Sequence, residues 1–283
     1  METTSFWKKI DGIKELPTLP MIYFKVNKAL QNSDASVKGV ADIIEMDQAM
    51  SSKVLRIVNC AFYGFRSKIS SINHAVMILG FNTVKNAIVS VSILDVFAIK
   101  EKFQGFNVKD FWSHSIAVAV LCKHLAEKSR LAAPEDAFIA GLLHDMGKLI
   151  MMQHFTEEFG RIWQTQQADG LTFYDAERSI LPVDHAQTGA YLARKWLFPN
   201  PLIDAISSHH TGKIASENGG LAACVILANL FSKYKESELP VNNFVFPDNI
   251  SKALNPVIEN TPGFFQETQA EIEMANEFFL ENI

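Results

Sequence analysis

Cysteine is scarce in this chain of 283 residues: Cys60, Cys122 and Cys224 are odd in number and far apart. That excludes a disulfide framework and a thiolate zinc ribbon, and it suits a reducing cytosol. Basic charge is also short. Twenty-six Lys and Arg stand against 31 Asp and Glu, for a formal net charge of -5, and no Lys/Arg cluster stands out. A nucleic-acid footprint is therefore not expected. The N-terminus lacks the apolar stretch of a signal peptide. The longest apolar runs, such as 87–99, are interrupted by polar residues and read as too short to span a bilayer. Internal repeats and low-complexity segments are absent. These absences predict a cytoplasmic protein with neither membrane nor nucleic acid as partner.

What is present is helical period. Hydrophobic residues make up 48% of the chain, enough for a substantial core. After a stiff lead-in at 16–20, Ile22, Val26, Ala29 and Leu30 share one helix face. Ser36, Asp47 and either Ser71 or Asn73 are candidate N-caps, and Gly80 closes a short helix before another runs to about 99. A charged, polar segment over 100–104 marks a subdomain boundary. Asn107, Thr172 and Asp184 cap further helices, Asn200-Pro201 opens one, and 235–247 reads as a surface loop. The last helices cover 248–259 and 262–280. The fold class predicted is all-α, in two packed lobes: an N-terminal helical lobe over 1–100 and a second over 101–283.

The segment around Gly141-Leu142-Leu143-His144-Asp145-Met146-Gly147-Lys148 reads as a buried helix opened by Pro134. Placing an imidazole, a carboxylate and an ammonium in so apolar a run costs several kcal/mol unless they are paired or hold a cation. Adjacent His and Asp diverge by about 100° around a helix, yet both tips can converge on one ion. Lys148, one turn later, can face an anion held by that ion. The plain alternative is a core histidine beside an Asp–Lys ion pair.

Other residues join them. Asp110 precedes His114 by one turn, and both fall on the apolar stripe of their helix. His185 and the pair His209-His210 sit at or in separate helices. Taken singly, His114 reads as a core histidine, His185 as a cap or surface residue, and His209-His210 as favoured by a helix C-terminus. Together with the His-Asp pair they suggest a metal site between facing helices. Imidazole and carboxylate ligands suit iron, manganese, zinc or nickel. Asn229 cuts the other way, because a neutral side chain holds a cation less well than Asp.

The chain resembles the HDOD domain, the HD-related output domain of bacterial signalling proteins, over about residues 10–235. The resemblance is carried by Leu16-Pro17-Thr18-Leu19-Pro20, Asp47-Gln48-Ala49-Met50, Arg56-Ile57-Val58-Asn59-Cys60-Ala61 and Ile72-Asn73-His74-Ala75-Val76. In the second half, Trp112-Ser113-His114-Ser115, the His144-Asp145 segment, Asp184-His185 and Ser208-His209-His210 resemble the wider HD superfamily of metal-dependent phosphohydrolases, including HD-GYP phosphodiesterases. The resemblance implies that His114, His144 and Asp145 are metal ligands, with Asp110, His185, His209 and His210 as further ligands of the HD-GYP type and Lys148 as a phosphate contact. Asn229 stands where an aspartate would close the set.

The function expected first is that of a cytoplasmic regulatory protein acting through a signalling partner or by sensing a ligand, with a partly retained divalent-metal site. The alternative is a metal-dependent phosphohydrolase acting on a nucleotide, cyclic nucleotide or other phosphate ester, with Asp145 and Lys148 in the chemistry.

Overall fold

A computed structural model describes residues 2–14, 16–32, 34–59, 68–97, 103, 105–211, 214, 218–233 and 245–280. Fifteen helices and no strand occur among the described residues. They are α1 (Thr3–Asp11), α2 (Met21–Leu30), α3 (Val37–Glu45), α4 (Gln48–Val58), α5 (Ile72–Val96), α6 (Val108–Ser129), α7 (Pro134–Leu143) and α8 (Met146–His154). There follow α9 (Thr156–Asp169), α10 (Phe173–Ile180), α11 (His185–Lys195), α12 (Asn200–Ser208), α13 (Gly220–Lys233), α14 (Asp248–Glu259) and α15 (Thr261–Leu280). The all-α expectation holds.

The chain divides into two compact units, Met1–Leu16 with Ile99–Phe265, and Pro17–Ala98 with Gln266–Ile283. A single boundary near residue 100 does not describe this partition, and apolar burial is the reason. In α1, Phe6 stacks on Phe155 with ring centroids 4.5 Å apart, and Ile10 is buried in the same cluster as Phe159 and Ile162. Burying each such side chain stabilises by about 1.5–3 kcal/mol, so α1 belongs with the later helices. The far end of α15 belongs with the earlier ones. Its Phe278 ring lies 5.8 Å from the Arg56 guanidinium, and Phe278 and Phe279 line a cavity with Ile57, Val91 and Leu94.

In the smaller unit, Ser36 accepts from the Gly39 N–H, Asp47 from Met50 and Ser71 from His74, as side-chain caps do. The backbone leaves helical geometry at Gly80 (φ 79°, ψ 169°), so α5 is two segments joined at a kink. By length and composition α5 is nevertheless apolar enough to cross a membrane, contrary to the sequence reading; 61% of its apolar window is buried inside the protein.

In the larger unit, Asn107, Thr172 and Asp184 cap α6, α10 and α11, and Asp184 forms a reciprocal box with Gln187. Helix α6 packs on α7 and α13, and α11 on α8 and α12. The expected boundary segment 100–104, apart from Phe103, and the expected loop 235–247, apart from its last three residues, lie outside the described residues.

Candidate metal centre

Apart from His114, the centre is built at helix ends. The His-Asp segment is not one helix: α7 stops at Leu143 and α8 starts at Met146, so His144 and Asp145 occupy the joint. At this joint the two tips converge, with His144 Nε2 3.4 Å from Asp145 Oδ2. Close backbone approach holds the joint. A Cβ on Gly147 would stand 1.9 Å from the His185 carbonyl oxygen, and one on Gly141 would stand 2.6 Å from Ala119 Cα. Only glycine lets α8 lie so near the start of α11, and α7 so near α6. His185 is the first residue of α11, and His209 caps the end of α12 with His210 next in the turn. His114 comes from the body of α6.

Asp145 is the hub, 2% exposed. Its Oδ2 faces His144 Nε2 at 3.4 Å, His114 Nε2 at 3.6 Å and Lys148 Nζ at 2.6 Å. Its Oδ1 faces His185 Nε2 at 3.0 Å and His209 Nε2 at 3.4 Å. Potential ligand atoms thus form two groups sharing this carboxylate: His114, His144 and Asp145; and Asp145, His185, His209 and His210. Within each, the atoms lie within 4.8 Å of one another.

The imidazoles are oriented from behind. His144 Nδ1 lies 2.7 Å from the Gly141 carbonyl, and His209 Nδ1 lies 2.7 Å from that of Ile206. A carbonyl only accepts, so each Nδ1 carries the proton and each Nε2 presents a lone pair to the cluster. His185 Nδ1 lies 2.7 and 2.9 Å from the two oxygens of Glu177. His144 Nε2 is buried with no hydrogen-bond partner. His185 Nε2 lies 3.2 Å from His209 Nε2 and 3.0 Å from His210 Nε2. Facing lone pairs at that spacing repel unless a proton or cation sits among them. Ring N–H groups given to carbonyl or carboxylate, with the other nitrogens converging, are the usual arrangement around a bound metal.

Burial sets the protonation. It pushes His114 down to about 4 against the opposing pull of Asp145, and it lowers His144, His209 and His210 as well. For His185 burial also favours the neutral ring, but Glu177 outweighs it and the pKa rises. Burial would raise Asp145, yet the facing His144 and the ammonium of Lys148 hold it well below the ordinary carboxylate range. A neutral imidazole set around an ionised carboxylate is what a divalent cation requires. Two imidazole nitrogens in one group and three in the other, each with a carboxylate oxygen, suit a first-row transition metal without selecting among them.

Of the residues expected at the site, His114, His144, Asp145, His185, His209 and His210 come together, with Lys148 paired to Asp145. The ion pair of the plain alternative and the ligand cluster are therefore both present. Asp110 does not join. It lies in the exposed first turn of α6 and belongs to neither group, so spacing alone misplaced it on the buried stripe. Asn229 is 4% exposed, and its Oδ1 has no partner. One turn on, Ser232 lies 3.3 Å from His114 Nδ1, so this face of α13 looks toward His114. Glu177 and Ser232 escaped the sequence reading. Glu177 shares the apolar stripe of Phe173, Ala176 and Ile180 on α10, and an acid on such a stripe was the available signal.

Comparison with known proteins agrees with this architecture. The HDOD domain model matches residues 16–212. An uncharacterised protein of Treponema pallidum (strain Nichols) is 26% identical over 232 residues, which is 81% of this chain and 44% of that protein. The chain thus spans less than half the length of that relative. Among solved structures, an HDOD domain protein of unknown function from Geobacter sulfurreducens superposes with a TM-score of 0.80 at 24% identity, covering 96% of this chain and 97% of the other. A protein from Shewanella amazonensis SB2B, described as a candidate phosphohydrolase, gives 0.72 at 24% identity, with 96% and 97% covered.

Proposed function

The chain belongs to the HDOD domain family, and from that premise we propose that it is a cytoplasmic regulatory protein whose larger unit holds divalent metal and senses a phosphate-bearing ligand. One observation carries the reading. Three buried imidazoles present Nε2 to the two oxygens of Asp145, with each Nδ1 hydrogen-bonded from behind to a carbonyl or carboxylate acceptor. His114, His144 and Asp145 would hold one ion, and Asp145, His185, His209 and His210 another.

A metal bound there supplies a Lewis acid for a phosphoryl oxygen and lowers the pKa of water. The chain's own residues do the rest. Asp145 supplies the charge that holds cations. Lys148 keeps an ammonium beside them, able to turn to an anion. His114, with 24% of its side chain exposed, and the partly buried His210 form the accessible edge. A nucleotide or other phosphate ester matches that charge pattern. The response passes to a signalling partner across the helical surface, as in HDOD-type output modules.

A second reading, metal-dependent phosphohydrolase, is favoured by Lys148, which stands where developing phosphoryl charge would need a cation, and by the likeness to the Shewanella amazonensis protein. Metal content by mass spectrometry, on protein prepared without chelators or a His-tag, tests the common ground. Near-stoichiometric metal that vanishes in the His144→Ala, Asp145→Ala double variant is expected; equal content in both would end the proposal. Nucleotides and cyclic dinucleotides are then added to the loaded protein. Binding without product supports sensing. Product above the level of His144→Ala would replace sensing with hydrolysis.

A further inference from the structure

Glu177 lies outside both candidate ligand groups, yet it is more enclosed than Asp145, at 0% exposure against 2%. Its Oε1 accepts the His185 backbone N–H at 2.8 Å and lies 2.7 Å from His185 Nδ1, with Oε2 2.9 Å from the same nitrogen. Among the described residues its ion-pair partner is His185 alone. A buried carboxylate is costly without a facing positive charge. Once its Nδ1 proton is committed to Glu177, a neutral His185 brings none. The compensating charge has to enter through Nε2, which points at Asp145 Oδ1 and at the Nε2 atoms of His209 and His210.

We infer that Glu177 is a positioning residue that fixes His185 with Nε2 toward the cluster and lends its negative charge, through the ring, to a metal held by Asp145, His185, His209 and His210. The inference rests on the metal reading above. It also assigns that group a second negative charge beside Asp145. Helix α10 then has a defined role. Its Thr172 cap and apolar stripe carry a carboxylate to the back of one histidine.

The test is competitive titration of Co2+ against a chelating dye, with the absorbance spectrum of bound Co2+ recorded alongside. Glu177→Gln is nearly isosteric and keeps an acceptor for the His185 N–H groups while removing the charge. It is expected to weaken one Co2+ equivalent by about 10–100-fold and to leave the other unchanged. Glu177→Ala, which loses orientation as well, is expected to weaken it further. In a His185→Ala background, Glu177→Gln should cost nothing more, because its effect runs through that ring. Wild-type affinity in Glu177→Gln, or a loss that adds in full to that of His185→Ala, overturns the inference and leaves the metal reading standing. A wild-type protein that takes up no Co2+ overturns both. Should Glu177→Gln fail to fold by circular dichroism, Glu177→Asp replaces it; unchanged Co2+ affinity there also overturns the inference, and a loss confined to the same equivalent supports it.

Discussion

The two halves of the histidine cluster share one carboxylate and are built differently around it. On the Oδ1 side, His185 and His209 are enclosed, and Glu177 stands behind the ring of His185. On the Oδ2 side, His114 is a quarter exposed, a serine backs it, and Lys148 already sits on the oxygen. The first half has two acids for its three imidazoles. The second shares one acid with a lysine. Opposite charges within about 4 Å interact far more strongly in such a site than in water. The difference teaches that one candidate ligand group is enclosed and backed by a second acid, while the other faces solvent and shares its acid with a lysine.

The largest expected effect removes the comparison altogether. Asp145→Ala should abolish metal in both halves, seen as background content by mass spectrometry. His185→Ala should weaken the enclosed half alone, and His114→Ala the exposed half alone, with the greater loss of affinity in His185→Ala. Equal losses would mean that enclosure does not matter. Next is Gly147→Ala. Its Cβ would stand 1.9 Å from the His185 carbonyl oxygen, with backbone rather than a movable side chain in the way. Helices α8 and α11 would have to part, at about 3–5 kcal/mol, among the larger costs seen for point substitutions. Urea unfolding should report this as a lower midpoint at constant slope. A midpoint within error of wild type would show that the helix approach does not position the centre.

How much of this was legible follows the range of each signal. The caps at Ser36, Asp47, Asn107, Thr172 and Asp184 were readable because a cap and the N–H that donates to it lie within three residues. The ligand types were readable because charge in an apolar run needs a reason. The break at His144-Asp145 was not, since α7 is buried all round and gives no face whose loss marks an end. Asp110 was assigned by the i, i+4 rule, which places side chains on one face but says nothing of how far a neighbouring helix reaches along it. The attachment of α1 through Phe6 and Ile10, and of Glu177 to His185, depends on residues distant in sequence, which periodicity cannot register.

The remaining predictions sharpen the contrast. Protons and metal compete for each Nε2. The His185 pKa lies above its ordinary value, so protons displace metal from the enclosed half as pH falls through that raised value, by about tenfold per unit below it. His114 is pushed down to about 4, so its ring stays neutral and able to bind far below that point. Metal release followed by dye from pH 8 to 4 should therefore show two steps, the enclosed half first. A single step would show that the halves titrate as one. Asn229→Asp adds an anion on the His114 side and should tighten the exposed half by about tenfold, equivalent to roughly 1.4 kcal/mol. Tightening of the enclosed half instead would place Asn229 in the wrong group.

Lys148→Met carries the smallest effect and the most specific sign. Lys148 Nζ lies 2.6 Å from Asp145 Oδ2 and 5.3 Å from the Phe173 ring centroid, and its side chain is largely buried. Methionine fills similar volume without the ammonium. Freed of that competitor, Oδ2 should hold Co2+ a few-fold more tightly, on the order of 1 kcal/mol for losing one charged hydrogen bond to a shared carboxylate. Inorganic phosphate should bind the loaded variant less well, because the same ammonium is the cation offered to an anion. Tighter metal with weaker phosphate is the signature of a lysine that moves between two partners. Looser metal and unchanged phosphate would make it a structural counter-ion to Asp145, and the exposed half would then differ from the enclosed one in burial alone.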